Sequence, residues 1–229
     1  LDGFKARPTI DIDLLGERIS NDRDSLKEVF QKVCSVECED DGVRFDAGSL
    51  ELEPIAIEKK YPGTCVKVVA HLDTIVQQVS VDIGFGDVVT PYPVSLDYPL
   101  LLPDVPAVEI YAYSLETLIA EKFHTMVDRD ESNSRMKDFF DVYQLFTYHE
   151  IDKALLEEAI VSTFKNRNTS YKDNLALFTN TFAQDDTRNA WWKAFLKKIR
   201  WKEHIDFSDV MNCIKENLQE YWKEDVLGR

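Results

Sequence analysis

Two aspartates stand at alternate positions near the start of the chain, within the run RPTIDIDLL at residues 7–15. The run predicts a β-strand, in which successive side chains point to opposite faces of the sheet. Asp11 and Asp13 then share one face with Thr9. Two half-buried carboxylates at that spacing repel each other, and a divalent cation such as Mg²⁺, which binds carboxylate and phosphate oxygens, removes the repulsion. The alternative is an edge strand whose solvated face tolerates alternating acids without a ligand.

A third aspartate occupies a similar position in a later strand-like run, VSVDIGFGD at residues 79–87. Asp82 again alternates with apolar side chains, so it lies on the face opposite to them. If this strand and the first one belong to the same sheet, Asp82 converges with the two earlier aspartates. Gly84 and Gly86 let the backbone bend or approach another group closely. Chance alternation is the alternative explanation.

A lysine interrupts the apolar stripe of the helix that residues 114–129 predict. Within that stripe, Lys122 must either extend towards water or find an acidic partner. The next predicted helix begins near residue 135 and carries Asp138 and Asp141 three residues apart, on one face. Because a short turn joins the two helices, they are expected to be neighbours, and Asp138 can then pair with Lys122.

The bulk composition describes an acidic globular protein. The 229 residues include 44% hydrophobic and 30% charged side chains, and the formal net charge is −15. Such a charge argues against a protein that coats nucleic acids generally, although lysines or metal ions can reverse the local field. No run approaches the ~20 apolar residues of a membrane span, and no secretion leader is visible. With four cysteines, the composition predicts a location in the reducing cytoplasm.

The chain changes character at about residue 113. Before that point, short strand-like runs accompany one predicted helix, and five of the eight prolines fall between residues 90 and 106. Beyond it, the hydrophobic period is helical almost throughout. We therefore predict an α+β fold with two domains: a mixed β-sheet with flanking helices over residues 1–113, and a helical bundle over residues 114–229.

Four short motifs occur in a fixed order along the chain: TxDID, VDIGFG, LIAEK and RMKDFFDVYQL. In this order they resemble the motifs of the AbiEii/AbiGii nucleotidyltransferase toxins, which belong to the DNA polymerase-beta-like nucleotidyltransferase superfamily. The resemblance spans residues 7–145. It implies a nucleotidyltransferase-like sheet, and a toxin of a toxin–antitoxin or abortive-infection system. It also implies transfer of a nucleotide from an NTP to an acceptor such as tRNA, and a possible antitoxin partner.

The resemblance also implies roles for individual residues. Asp11 and Asp13 match the positions that hold Mg²⁺ and the triphosphate. Lys122 matches the lysine that contacts the nucleotide phosphates, and Asp138 matches an acid that is needed for activity. Three further side chains are expected to contribute to nucleotide binding: Thr9, Asp82 and Asp141. The helices after residue 145 are expected to contact the acceptor.

One element of the family pattern is not found at its usual place. The family has a Gly-Gly or Gly-Ser turn roughly ten residues before the first acid, where backbone N–H groups bind phosphate. Ten residues precede Asp11 here, and Gly3 is the single glycine among them. Either the turn precedes Leu1 in a longer protein or this copy of the family lacks it.

Residues 191–202, WWKAFLKKIRWK, allow two interpretations. Five basic and four aromatic side chains are typical of a surface that contacts RNA through its phosphates and stacked bases. Trp192, Phe195 and Ile199, however, also form a helical stripe that is typical of a buried core.

Two other functions compete with nucleotidyl transfer. The acid-x-lysine pattern of Glu58-Lys59-Lys60, with Asp46 upstream, occurs in metal-dependent nucleases. A non-catalytic relative that only binds a partner, such as an antitoxin, is the second competitor, and the acidic surface and the missing glycine turn favour it. Binding of NTP with Mg²⁺ separates the enzyme from the partner-binding protein. Cleavage of DNA or RNA without NTP identifies a nuclease.

Overall fold

The structure, a computed structural model, describes residues 7–9, 12–38, 41–55, 63–98 and 107–228. By its packing, the chain divides into two compact units. Residues 8–87 form the first, here named the sheet unit, and Arg7 with the described residues from 88 to 228 forms the second, the helical unit. The domain boundary predicted at residues 113 and 114 stays a prediction.

The sheet unit contains a mixed four-stranded sheet and one helix. The strand order is β1-β4-β3-β2, with β1 parallel to β4 and the other neighbours antiparallel. Its elements are β1 (Ile12–Leu15), α1 (Arg23–Cys34), β2 (Val43–Ile55), β3 (Gly63–Leu72) and β4 (Ile75–Gly84). Because β1 and β4 are parallel, a long crossover that contains α1, β2 and β3 connects them.

Helix α1 covers one face of this sheet. Its first turn is capped by Asp22, whose carboxylate accepts the backbone N–H of Ser25 at 3.0 Å. The buried side chain of Leu26 then packs with apolar residues of three strands: Leu52, Val66 and Val81. Since side chains alternate along a strand, the opposite face of the sheet presents the polar residues.

Strand β1 is short and lies at the edge of the sheet. Its four residues pair with β4, so that Ile12 aligns with Val81 and Leu14 with Ile83. Ile12 and Leu14 are nevertheless 47% and 48% exposed, because α1 packs against β2, at the opposite edge. The predicted alternation is confirmed, but the apolar face of β1 remains uncovered at this edge.

The helical unit consists of a two-stranded hairpin followed by helices. Its elements are β5 (Val94–Tyr98), β6 (Val108–Ala112), α2 (Leu115–Arg129), α3 (Met136–Tyr148), α4 (Lys153–Asn166), α5 (Asn180–Gln184), α6 (Asp186–Lys198), α7 (Phe207–Leu218) and α8 (Glu224–Leu227). The predicted α+β class is confirmed by the mixed sheet and the helical remainder. Among the described residues, no helix combines the length and the apolar character that crossing a bilayer requires.

An aromatic core joins the long helices of this unit. Aromatic pairs across helix boundaries include Phe123 with Phe164 at 5.4 Å between ring centroids, Phe139 with Phe207 at 5.5 Å, and Phe140 with Trp192 at 6.1 Å. Each such pair contributes about 0.5–1.5 kcal/mol beyond the burial of its area. This packing fixes α2 and α3, whose charged residues form one of the two groups described below.

Gly16, which follows β1, faces the buried ring of Phe85. A Cβ atom at residue 16 would lie less than 3.0 Å from three ring carbons. We therefore expect Gly16→Ala to lower the free energy of unfolding by about 1–3 kcal/mol, the usual cost of overpacking. Gly84→Ala is the matched control, because a Cβ atom there would meet its nearest neighbours at 3.9 and 4.0 Å. Urea unfolding measures both, and equal losses would contradict the steric explanation.

Candidate active site

Asp13 and Asp82 lie side by side on the polar face of the sheet unit. The parallel pairing of β1 with β4 places them in direct register, on strands about 4.8 Å apart. Asp13 is exposed, and Asp82 is partly buried. The register confirms the predicted convergence for these two aspartates, whereas Asp11 lies outside the described residues. Thr9 is exposed just before the strand, and the roles of all four residues stay predictions.

The same row of side chains continues across β3 and β2. Cys65 pairs with Asp82, and Glu53 pairs with Cys65. Burial, together with a hydrogen bond to Asp82 and the negative charge there, raises the pKa of the Cys65 thiol to about 11. The thiol therefore keeps its proton at neutral pH and donates it to the carboxylate of Asp82. Glu53 is held instead by Lys67, whose Nζ lies 2.5 Å from its Oε2.

The row supplies oxygen ligands of the kind that Mg²⁺ prefers. Asp13 and Asp82 present two carboxylates on one face of the sheet. In the part of the chain that the structure describes, no three His, Cys, Asp or Glu side chains are grouped closely enough to hold a metal ion. A complete coordination shell therefore needs further oxygens, from Asp11, from water or from a bound phosphate.

In the helical unit, Lys122 of α2 contacts two carboxylates of α3. Its Nζ lies 2.7 Å from Oδ2 of Asp141 and 3.4 Å from Oδ1 of Asp138. The side chains of Lys122, Asp141 and Asp138 are 15%, 17% and 4% exposed, so each depends on its partners more than on water. The predicted pairing of Lys122 with Asp138 is confirmed, although the shorter contact is with Asp141.

Asp138 lies in the first turn of α3 and is almost completely buried. Its second oxygen accepts a hydrogen bond of 2.6 Å from Nε of Arg135. The position near the N-terminus of the helix also favours a negative charge, because the backbone dipoles are positive there. The buried carboxylate thus has two cationic partners and a favourable helix end.

Arg7 completes this group, and the sequence patterns assign it no role. Its Nε and Nη2 donate to the two oxygens of Asp141 at 2.7 and 2.8 Å, the bidentate geometry that gives strong arginine–carboxylate pairs. Burial by itself raises the pKa of Asp141, but the hydrogen bonds and charges of Arg7 and Lys122 outweigh it and hold the pKa below its usual range. We call Arg7, Lys122, Arg135, Asp138 and Asp141 the ionic cluster.

The two interpretations of residues 191–202 apply to different side chains. Trp192 is buried, and Phe195 and Ile199 pack against the same core while partly exposed. Trp191, by contrast, is 42% exposed. The core interpretation therefore accounts for the inner side of this helix and leaves its outer side unexplained.

The residues that suggested a nuclease are only partly described. Glu58, Lys59 and Lys60 lie outside the described residues. Asp46 is exposed on β2, where its Oδ1 accepts the backbone N–H of Gly48 at 2.8 Å within an irregular stretch of the strand. This hydrogen bond gives Asp46 a local structural role.

Neutralising Asp141 leaves two cations facing each other. We expect Asp141→Asn to lower the free energy of unfolding at neutral pH by about 2–3 kcal/mol, less than for a fully buried pair, because water partly screens these side chains. Since the pKa of Asp141 is lower in the folded protein than in the unfolded chain, this loss is complete above about pH 5 and shrinks as the pH falls through about 3.9.

Urea unfolding of the two proteins between about pH 3 and pH 8 measures this difference. Asp128→Asn, which changes an exposed aspartate of α2, is the matched control and is expected to alter stability by less than about 0.5 kcal/mol. A loss for Asp141→Asn that does not vary with pH would contradict the charge assigned to this carboxylate.

One family profile, described as nucleotidyl transferase AbiEii toxin, type IV toxin–antitoxin system, matches residues 2–213. Two solved structures from Helicobacter pylori also match. JHP933 is 13% identical with a TM-score of 0.46, covering 97% of this chain and 78% of its own. A provisionally assigned nucleotidyltransferase is 14% identical with a TM-score of 0.40, covering 87% and 83%. Among curated protein sequences, no relative matches.

The family match extends over most of the chain and includes all four sequence motifs, the positions of Asp13 and Asp82, and the ionic cluster. Its extent is sufficient to assign the family. The chain belongs to the AbiEii family of nucleotidyl transferase toxins of type IV toxin–antitoxin systems.

Proposed function

We propose that the chain transfers a nucleotide from an NTP to a hydroxyl of an acceptor such as tRNA, with Mg²⁺ as the metal ion. Membership of the AbiEii family supports nucleotidyl transfer as the type of reaction. The observation that carries the proposal in this chain is the direct register of Asp13 with Asp82. Paired carboxylates on an accessible sheet face are suited to a metal–triphosphate complex.

The carboxylate pair fits a ligand better than a purely structural role. Like charges directly opposite each other on neighbouring strands destabilise a sheet, so the folded chain alone gains nothing from the pair. Asp13 and Asp82, with Asp11 from the family pattern, would hold the ion, and Thr9 would contact the nucleotide. When bound, Mg²⁺ lowers the pKa of the attacking hydroxyl and stabilises the departing pyrophosphate. The thiol of Cys65 keeps the carboxylate of Asp82 oriented.

Lys122 is the residue proposed to bind the phosphate oxygens of the nucleotide. An ammonium group has three protons, and within the described residues Asp141 and Asp138 accept two of them. The remaining proton is available to a phosphate. Because the carboxylates fix the side chain before the substrate binds, the positive charge needs no reorganisation during the reaction.

Asp138 and Asp141 are proposed to act through Lys122. Both oxygens of Asp141 already accept hydrogen bonds from Arg7 and Lys122. Its contribution to nucleotide binding is therefore the position of the lysine, and Asp138 supports the same ammonium from the preceding turn of α3. Both aspartates are positioning residues in this proposal.

The biological role follows from the family. Type IV toxin–antitoxin systems pair a toxin with an antitoxin, and this chain belongs to the toxin family. We propose that modification of an RNA acceptor is the toxic activity that the antitoxin counteracts.

Asp13→Asn tests the carboxylate pair. The measurement is incorporation of label from each α-labelled NTP into total tRNA in the presence of Mg²⁺. We expect the substitution to lower transfer at least about 10²-fold, because it removes a preorganised charge that the reacting complex needs. Glu28→Gln, an exposed acid of α1 in the same unit, is the matched control and is expected to retain full transfer.

The outcomes separate the competing functions. Full transfer by Asp13→Asn would show that the metal assignment is wrong. If the unsubstituted chain transfers no nucleotide although it unfolds cooperatively on heating and is therefore folded, a relative that only binds a partner would be favoured. Cleavage of the RNA without NTP would identify a nuclease.

Lys122→Gln tests the phosphate contact. Arg7 and Arg135 still neutralise the two aspartates in this variant, so we expect the fold to persist. Transfer should fall about 10- to 10³-fold, with part of the loss in the KM for NTP. Lys165→Gln, an exposed lysine of α4, is the control. If Lys122→Gln changes only the KM for the acceptor and not that for NTP, the proposed contact of Lys122 with the nucleotide is wrong.

A further inference from the structure

The outer side of α6 carries a concentration of positive charge that the proposed transfer site does not use. Residues 187–202 contain six basic side chains and no acid, in a chain with 42 acidic and 27 basic residues. Arg188 is engaged with Asp185 and with the ring of Phe182. The other five are exposed and, in the described part of the chain, form no ion pair: Lys193, Lys197, Lys198, Arg200 and Lys202.

The inner side of α6 is fully used by the core. Trp192 packs on Phe140 of α3 with ring centroids 6.1 Å apart, and Phe195 packs on the same ring at 5.6 Å. These contacts attach α6 to the helix that carries Asp138 and Asp141 of the ionic cluster. They also leave α6 without an apolar face that could insert into a lipid surface.

The helical period arranges the outer side in three strips. Trp191 and Lys198 are seven residues apart, which places them on one edge. Lys193 and Lys197 are four residues apart, on the other edge. The exposed residues Ala190 and Ala194 lie between the edges, and their short side chains leave the helix backbone accessible in the middle of this surface. A charged polymer can therefore approach the helix closely, between the edge of Trp191 and Lys198 and the edge of Lys193 and Lys197.

Two features of this surface oppose folding stability. Like charges four residues apart on a helix, as in Lys193 and Lys197, repel each other. Arg200 has a φ of 55°, in the left-handed region, at the position after the helix where glycine is usual. The backbone N–H of Trp201 donates to the carbonyl of Leu196 at 3.0 Å, as this type of helix end requires. The helix dipole explains lysines in the last turn, but it explains neither Lys193 nor a left-handed arginine.

We propose that a basic face, formed by Trp191, Lys193, Lys197 and Lys198 of α6 and by Arg200 and Lys202 just after it, binds the phosphate backbone of RNA independently of sequence. Lysine and arginine neutralise phosphates, and an exposed tryptophan stacks on a base, which together are the parts of a single-strand binding surface. A bound polyanion also removes the repulsion among the five cations. The identity of RNA as the polyanion rests on the proposed function, in which RNA is the acceptor.

Charge neutralisation at this face, compared with the same change elsewhere, tests the proposal. Four exposed lysines of the face (193, 197, 198 and 202) are changed to Gln in one variant. Four exposed lysines elsewhere in the helical unit (153, 165, 172 and 223) are changed to Gln in the control. Both variants lose four positive charges, so their net charge is the same. The control also removes the exposed contact of 3.9 Å between Nζ of Lys153 and Oε1 of Glu220, which is expected to contribute little to stability.

The measurement is fluorescence anisotropy of a labelled single-stranded RNA at several salt concentrations, without NTP or Mg²⁺. We expect the face variant to bind at least about tenfold more weakly, and the slope of log K against log salt to shrink by roughly 0.7 for each phosphate that the protein no longer neutralises. The control should stay within about threefold of the original. Equal weakening of both variants, or no RNA binding by the original chain, would overturn the proposal.

Arg200→Gly separates RNA binding from folding. Glycine relieves the left-handed backbone at residue 200 and removes one charge of the face, so thermal stability should rise while RNA affinity falls about two- to fivefold. Arg18→Gly is the matched control, since Arg18 also has a left-handed φ, of 56°, in the sheet unit. It should gain stability without losing affinity. An Arg200→Gly variant with unchanged affinity would count against the basic face.

These measurements are independent of catalysis. If the face binds RNA but the chain transfers no nucleotide, RNA binding by the face is supported and the proposed enzymatic function is rejected. If the four Gln substitutions change neither nucleotide transfer nor RNA affinity, the enzymatic function is supported and RNA binding by the face is rejected. If the variant with four Gln substitutions in the face loses binding to vesicles that contain phosphatidylserine but keeps its RNA affinity, the face binds membranes and the proposal is overturned.

Discussion

The ammonium of Lys122 within the helix interface is the constraint on which the helical unit depends. A charge that is removed from water is tolerated only beside partners of opposite charge. Lys122 therefore requires Asp141 and Asp138, and each aspartate in turn is held by an arginine. In the described part of the chain, three cationic and two acidic side chains thus meet in the ionic cluster.

The sheet unit brings two carboxylates together. Asp13 and Asp82 stand in register, and the neighbouring Cys65 contributes a neutral thiol. Such a concentration of negative charge attracts a cation and does not by itself help the chain to fold.

Local patterns in the sequence were sufficient for much of the fold. Alternation predicted that Asp13 and Asp82 lie opposite the apolar residues of their strands, and the helical period predicted that Lys122 meets Asp138. The same period distinguishes buried Trp192 from exposed Trp191. These features depend on neighbours along one element or on two helices joined by a short turn.

Long-range partners were not predictable in this way. Arg7 meets Asp141 across 134 residues, and no local pattern indicates that a residue before the first strand contacts the second long helix. Cys65 reaches Asp82 only because of the antiparallel register of β3 and β4, which a single sequence does not specify. The exposure of Ile12 and Leu14 likewise depends on which edge of the sheet α1 covers. Each of these depends on tertiary packing rather than on propensity.

The lowered pKa of Asp141 has a consequence for regulation. The carboxylate remains ionised at neutral and mildly acidic pH, and Arg7 keeps its charge throughout that range. Acid stress switches many proteins by protonating histidines or carboxyl groups whose pKa is raised, but it leaves the contacts of Asp141 intact. A modest drop in pH therefore does not release the contacts through which Asp141 holds Arg7 and Lys122 together.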